Sequence, residues 1–157
     1  MPLCFLDCGR ELEVSHSSGG KSNPTEAALV ASILSRVLEA KGVSPANAAV
    51  ITPYSSQVDE LRRALASSSQ AASKCRVGTV DSFQGQETDL VFFSATRSNG
   101  IGDLGFLSDP RRLCVAITRA RRGLVVVGDV KTLRSSHHWA ALIDSCHSRG
   151  CLVARGD

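Results

Sequence analysis

Short apolar runs and longer amphipathic stretches take turns along this chain, and their order predicts a fold. Pro2–Asp7 is a strand-like apolar run, and Gly9–Ser22 is a polar loop rich in Ser and Gly. Leu29, Val30, Ile33, Leu34, Val37 and Leu38 then recur at helical spacing, and Gly42 ends the element. Asn23-Pro24-Thr25-Glu26 opens that helix: Asn caps, Pro suits the first turn, and Glu26 stands where a capping box needs it. Ala48–Thr52 reads as a buried strand. A second amphipathic helix turns Val58, Leu61 and Leu65 inward and Arg62 and Arg63 outward, and Ser67–Ser73 reads as a small-residue linker.

The second half repeats the alternation. Arg76–Thr79 and Asp89–Ala95 read as strands, the latter apolar on both faces as in a parallel sheet. Asp109-Pro110 caps a helix carrying Leu113, Val115, Ala116 and Ile117. Leu124–Val127 is a further strand, Trp139, Leu142, Ile143 and Cys146 mark a last helix, and Cys151–Ala154 reads as an edge strand. This order predicts an α/β fold, a three-layer α/β/α sandwich on a mainly parallel sheet. At 157 residues the chain suits one domain that buries roughly two-thirds of its unfolded surface.

Charge and cysteines narrow the partners. The net charge of +3 is mild, but seven arginines and Lys131 lie between Arg97 and Arg134 against only Asp103, Asp109 and Asp129. Such a local excess suits phosphate-bearing partners, and it also suits a solvated face. No run reaches the roughly 18 apolar residues that span a bilayer. The start, MPLCFLDCGRE, has an acid and an Arg where a signal peptide needs an apolar core. The six cysteines lack the repeated short spacings of a zinc site, so no metal ligand set is expected. A reduced, intracellular protein of nucleus or cytoplasm is the expectation.

Four stretches invite chemistry. GGKS at Gly19–Ser22 lacks the Gly that a phosphate loop needs five residues earlier, where Ser15 stands. Gly100–Gly105 matches GxGxxG but leads into a loop and a new cap, not a helix, so a dinucleotide site is discounted. TVDSFQGQETD at Thr79–Asp89 offers hydroxyls, a Gly for close approach and Glu87 for sugar hydroxyls, at what is expected to be a strand's carboxyl edge. A tight turn capped by Asp81 and Ser82 accounts for the same residues equally well. VAITRARR at Val115–Arg122 puts Arg119 and Arg122 on one side of a helix end, either as a favourable dipole arrangement or to reach a γ-phosphate.

TVDSFQGQETD and DPRRLCVAITRARRGLVVVGD together resemble motifs V and VI of superfamily-one helicases, in the branch that contains the nonsense-mediated-decay helicase and senataxin. ITPYSSQ resembles that branch's motif IV, and NPTEA resembles the opening of its second RecA-like domain. The resemblance runs from Pro2 to Val153, and it implies that residues 1–157 are the second, C-terminal RecA-like domain of the P-loop NTPase fold.

That resemblance implies an ATP-dependent RNA or DNA helicase with Arg119 as arginine finger. Glu87, Gly85 and Gln84 would join Arg119 at the nucleotide, and Pro53, Tyr54, Ser55, Thr79 and Ser82 would lie on the nucleic-acid track. ATP and Mg2+ would be bound mainly by a first RecA-like domain of the same protein, with single-stranded RNA or DNA as the other partner and a monomer as the assembly. No GxxxxGK[ST] or Walker B signature is present, so the chain alone is not expected to hydrolyse ATP. Pro24 stands where some relatives carry a nucleotide-contacting Arg, and Cys114 where motif VI usually has Asn. A non-catalytic nucleic-acid-binding or partner-docking module that kept the fold is the alternative.

Overall fold

Six strands pair in parallel in the order β5-β4-β6-β7-β1-β8, and a computed structural model describes the chain over residues 2–83 and 86–154. The strands are β1 (Leu3–Asp7), β4 (Ala48–Thr52), β5 (Arg76–Thr79), β6 (Thr88–Ser94), β7 (Ala120–Gly128) and β8 (Leu152–Ala154), with β2 (Val14–Ser15) and β3 (Lys21–Ser22) forming a separate antiparallel hairpin. The helices are α1 (Pro24–Lys41), α2 (Ser55–Ser68), α3 (Gln70–Ser73), α4 (Pro110–Arg119), α5 (Val130–Leu133) and α6 (His137–Ser148).

Successive strand residues point to opposite faces, and the core divides accordingly. Leu6, Val50, Phe92 and Val127 meet Val30, Leu34, Leu61 and Leu65 of α1 and α2. Their neighbours Phe5, Ile51, Phe93 and Val126 meet Leu113 and Ala116 of α4 and Trp139 and Ile143 of α6. The Trp139 indole donates to the Leu107 carbonyl at 2.9 Å, which satisfies the one polar atom of a buried ring. This is the α/β/α sandwich that the alternation of elements predicts.

Several expectations need correction. The loop from Gly9 to Ser22 contains the β2–β3 hairpin, and GGKS is its tip and return strand, not a phosphate loop. The supposed linker at Ser67–Ser73 is helical: α2 runs to Ser68, and Ser69 caps the short α3. The helix of motif VI stops at Arg119, so Arg121 and Arg122 lie in β7 and do not share a helical side with Arg119. The first four residues of β7 extend below the start of β1, whose Leu3 pairs with Leu124. That end of β7 is therefore open to water on one flank, which tolerates arginines in a strand.

Candidate nucleotide edge and nucleic-acid edge

The TVDSFQGQETD stretch crosses the sheet. Thr79 ends β5 level with Thr52 at the carboxyl edge, whereas Glu87 immediately precedes β6 at the amino edge. Between them Val80 and Phe83 are buried in the core on the α4 face, so the crossing is packed without a full helix. The expectation that this motif sits wholly at a carboxyl edge is thus half right. Gln84 and Gly85 lie outside the described residues.

At the amino edge, Thr88 of β6 pairs with Ala120 of β7, so Glu87 and Arg119 are the residues just before a matched pair, and the ladder shifts register between Thr88 and Leu90. Glu87 is exposed. Arg119 is half-buried at the last position of α4; its Nη2 donates to the Thr118 hydroxyl at 3.2 Å, and its Nε is buried without a hydrogen-bond partner among the described residues. An unpaired guanidinium nitrogen is a costly thing to bury, and an anion arriving at that edge would relieve the cost. The adjacent Arg121 is paired instead with Asp89 at 3.3 Å.

At the carboxyl edge, Ser55, Ser56, Asp59, Arg62, Gly78, Thr79 and Ser82 line a shallow polar groove. Ser55 begins the 14-residue α2, whose cap position, Tyr54, provides no side-chain cap, while its carbonyl accepts the Gln57 amide at 3.0 Å. Ser82 donates to the Thr79 carbonyl at 2.8 Å, which holds the turn after β5. The groove therefore gathers Ser55, Thr79 and Ser82. It does not gather Pro53 and Tyr54, which are buried. Tyr54 is only 5% exposed; its hydroxyl donates to the Leu104 carbonyl at 3.2 Å and accepts from Arg97 Nη1 at 3.0 Å.

A buried polar network beneath this edge has no counterpart in the motif reading. Glu26 does not close a capping box: Asn23 accepts the Glu26 amide at 3.1 Å, but the Glu26 carboxylate turns inward. Its Oε1 accepts from the Ser94 hydroxyl at 2.6 Å and the Thr96 amide at 2.8 Å, and its Oε2 is buried without a partner among the described residues. Burial pushes this carboxyl up to about 7, despite lowering bonds from Ser94 and Thr96, and Asp129 adds to the rise. Thr96 has φ +74°, an uncommon conformation for a β-branched residue, and its carbonyl accepts from Asn23 Nδ2 at 3.1 Å. Arg97, also buried, donates through Nε to Glu13 at 2.9 Å. Burial pushes Glu13 up, but the bonds from Arg97, Asn99 and Ser98 outweigh it and hold the carboxyl below its usual value. The run SATRSN, polar directly after a buried strand, was the signal that could have located this network.

A mostly parallel six-stranded sheet with helices on both faces is the architecture of a RecA-like P-loop NTPase domain. The chain belongs to the AAA domain family, whose profile matches residues 1–131. It is 41% identical over 156 residues to a regulator of nonsense transcripts 1 homolog from Neurospora crassa, covering 97% of this chain and 14% of that protein. To regulator of nonsense transcripts 1 from Dictyostelium discoideum it is 38% identical over 160 residues, covering 97% of this chain and 12% of the relative. Helicase sen1 from Schizosaccharomyces pombe is 47% identical over 102 residues, 64% of this chain and 6% of the relative. These likenesses support membership of the superfamily-one helicases. The chain spans only a small part of the relatives' length.

Proposed function

We propose that this chain is the second RecA-like motor domain of an ATP-dependent RNA or DNA helicase. The observation that carries the reading is the pairing of Thr88 with Ala120, which puts Glu87 and Arg119, whose Nε has no partner among the described residues, on the edge opposite the Ser55–Thr79–Ser82 groove. In this reading Arg119 is the arginine finger, and Glu87, with Gln84 and Gly85, meets the ribose and phosphates of ATP. Magnesium, when bound, neutralises phosphate charge and is held mainly by residues of a first RecA-like domain, the partner that completes the site. Ser55, Thr79 and Ser82 hold the backbone of a single strand through hydroxyls and helix amides, which position phosphates without reading sequence. Pro53 and Tyr54 support that grip from beneath. Closure of the two domains on ATP then shifts the grip, a population shift between open and closed states. The protein works inside the cell, in nucleus or cytoplasm, as a monomer.

The test joins this chain to a phosphate-loop domain. Arg119→Ala is expected to cut ATPase activity a thousandfold or so while leaving nucleic-acid affinity within about twofold of the parent. Equal loss of both would overturn the finger assignment. The 157-residue chain alone is expected to give no magnesium-dependent turnover, and measurable turnover would overturn its reading as a half-site. A non-catalytic nucleic-acid-binding or docking module is the second reading; it predicts that Arg119→Ala changes nothing.

A further inference from the structure

The carboxyl edge is tied together by one buried side chain from each of several distant segments. Glu26 of α1 is fully buried and holds Ser94, at the end of β6, and the Thr96 amide just beyond it. From Ser94 the connection continues to Gln57 Nε2 at 3.1 Å, on the first turn of α2, two residues past Ser55. Gln57 also accepts the Asn23 amide at 2.8 Å and donates to the Asn23 carbonyl at 3.2 Å, so the starts of α1 and α2 are locked to each other. From Thr96 a second branch reaches the Thr52 hydroxyl at 3.0 Å, at the end of β4, and Thr52 accepts the Tyr54 amide at 3.4 Å. Thr52 pairs in register with Thr79. Both branches therefore end beside the groove, one at Gln57, two residues past Ser55, and one at Thr52, the strand partner of Thr79.

We propose that Glu26 is a positioning residue for this groove: it clamps the strained Thr96 turn and the first turn of α2, and gaining or losing a proton changes how firmly the groove is held. The groove's role in gripping a single strand rests on the function proposed above; the clamp itself does not.

The charges around Glu26 explain why its proton matters. Asp129, at the end of β7, faces it and accepts from Ser98 at 2.7 Å and Thr132 at 2.8 Å. The Cys8 thiol, after β1, feels Glu26, Asp129 and Asp7 and is pushed well up by burial and by these acids. From α2 comes the neutral Gln57, and from β6 and its continuation come Ser94 and Thr96. Among the described residues no Lys, Arg or His hydrogen-bonds or ion-pairs with Glu26. A carboxylate here gains strong charge-assisted bonds on Oε1 but leaves Oε2 bare and opposed by Asp129. Protonation removes that repulsion and weakens the two bonds that hold the turn.

Backbone amide resonances of this chain, followed from pH 5.5 to 8.5 at fixed ionic strength, test the clamp without any ligand. Thr96, Ser55 and Thr79 amides should shift together with one midpoint near neutrality. Glu26→Gln should flatten all three curves, and Ser94→Ala, which removes one donor to the carboxylate, should move the midpoint upward. Thr96 titrating alone, or curves unchanged in Glu26→Gln, would overturn the proposal. An oligoribonucleotide titration at pH 6 and pH 8 then separates the readings: affinity should differ about fivefold in the parent and less than twofold in Glu26→Gln. Binding that is equal at both pH values would overturn the positioning role and leave the groove intact, whereas no binding at either would overturn the groove.

Discussion

Arg97 Nη1 donates to the Tyr54 hydroxyl at 3.0 Å, and that hydroxyl donates in turn to the Leu104 carbonyl at 3.2 Å. The guanidinium also lies over the Tyr54 ring, 5.7 Å from its centroid. The one aromatic of the ITPYSSQ stretch is thus committed to the protein's own interior. Its contribution to the groove is to fix where Ser55 starts α2.

Tyr54→Phe should therefore cost stability on the order of 1–3 kcal/mol, because a buried Arg97 donor loses a partner. Nucleic-acid affinity of the folded fraction should not change. Chemical denaturation and oligonucleotide titration measure the two separately, and an affinity loss in fully folded protein would mean that Tyr54 touches the strand directly.

Gly105, the last glycine of the GxGxxG look-alike, owes its identity to packing. Its φ is +52°, and a Cβ there would stand 2.5 Å from Arg97 Nη1 and 2.9 Å from the Tyr54 hydroxyl. Gly105→Ala is expected to lower stability by roughly 1–3 kcal/mol. Gly100 meets nothing within 4 Å, and Gly100→Ala should be close to neutral. Comparing the two melting curves checks the contrast.

Glu26 gives the pH dependence of folding a definite sign. Its folded carboxyl is raised from 4.5 to about 7, so the folded state holds the proton more tightly than the unfolded chain. Its contribution to stability is present below pH 4.5 and is lost as pH rises through about 7. Glu26→Gln should remove that loss, making the variant more stable than the parent at pH 8 by up to roughly 3 kcal/mol, at about 1.4 kcal/mol per tenfold change in proton affinity. Thermal melts at pH 5 and pH 8 read this directly; a variant less stable than the parent at pH 8 would contradict it.

Arg119→Lys should fail to rescue the ATPase activity lost in Arg119→Ala. A lysine keeps one positive charge but not the planar fork of donors. Single-turnover hydrolysis by the two-domain protein is the measurement, and recovery by Lys would argue that charge alone suffices.

The layers of this fold were legible because each leaves a periodic trace. The strand segments Ala48–Ile51 and Leu90–Phe93 are apolar on both faces, and α1 announces itself with Asn23, Pro24 and Gly42, all in their expected roles. What stayed hidden depended on partners far along the chain. Glu26 stands where a capping box wants it, yet its carboxylate goes to residues 68 and 70 positions away. The end of α4 was misplaced because Arg121 and Arg122 suit an exposed helix as well as a strand end open to water. The candidate residues stood out as motifs, but which edge each one occupies did not. That depends on the register of β4 with β5 and of β6 with β7.

Strand β6 runs seven residues from Thr88 to Ser94, a distance of roughly 20 Å, between the arginine edge and the hydroxyl edge. It is hydrogen-bonded along both flanks, to β4 and to β7. A strand held that way behaves as a stiff rod in a plate. The spacing of the two rims is therefore set by the length of one strand anchored on both sides.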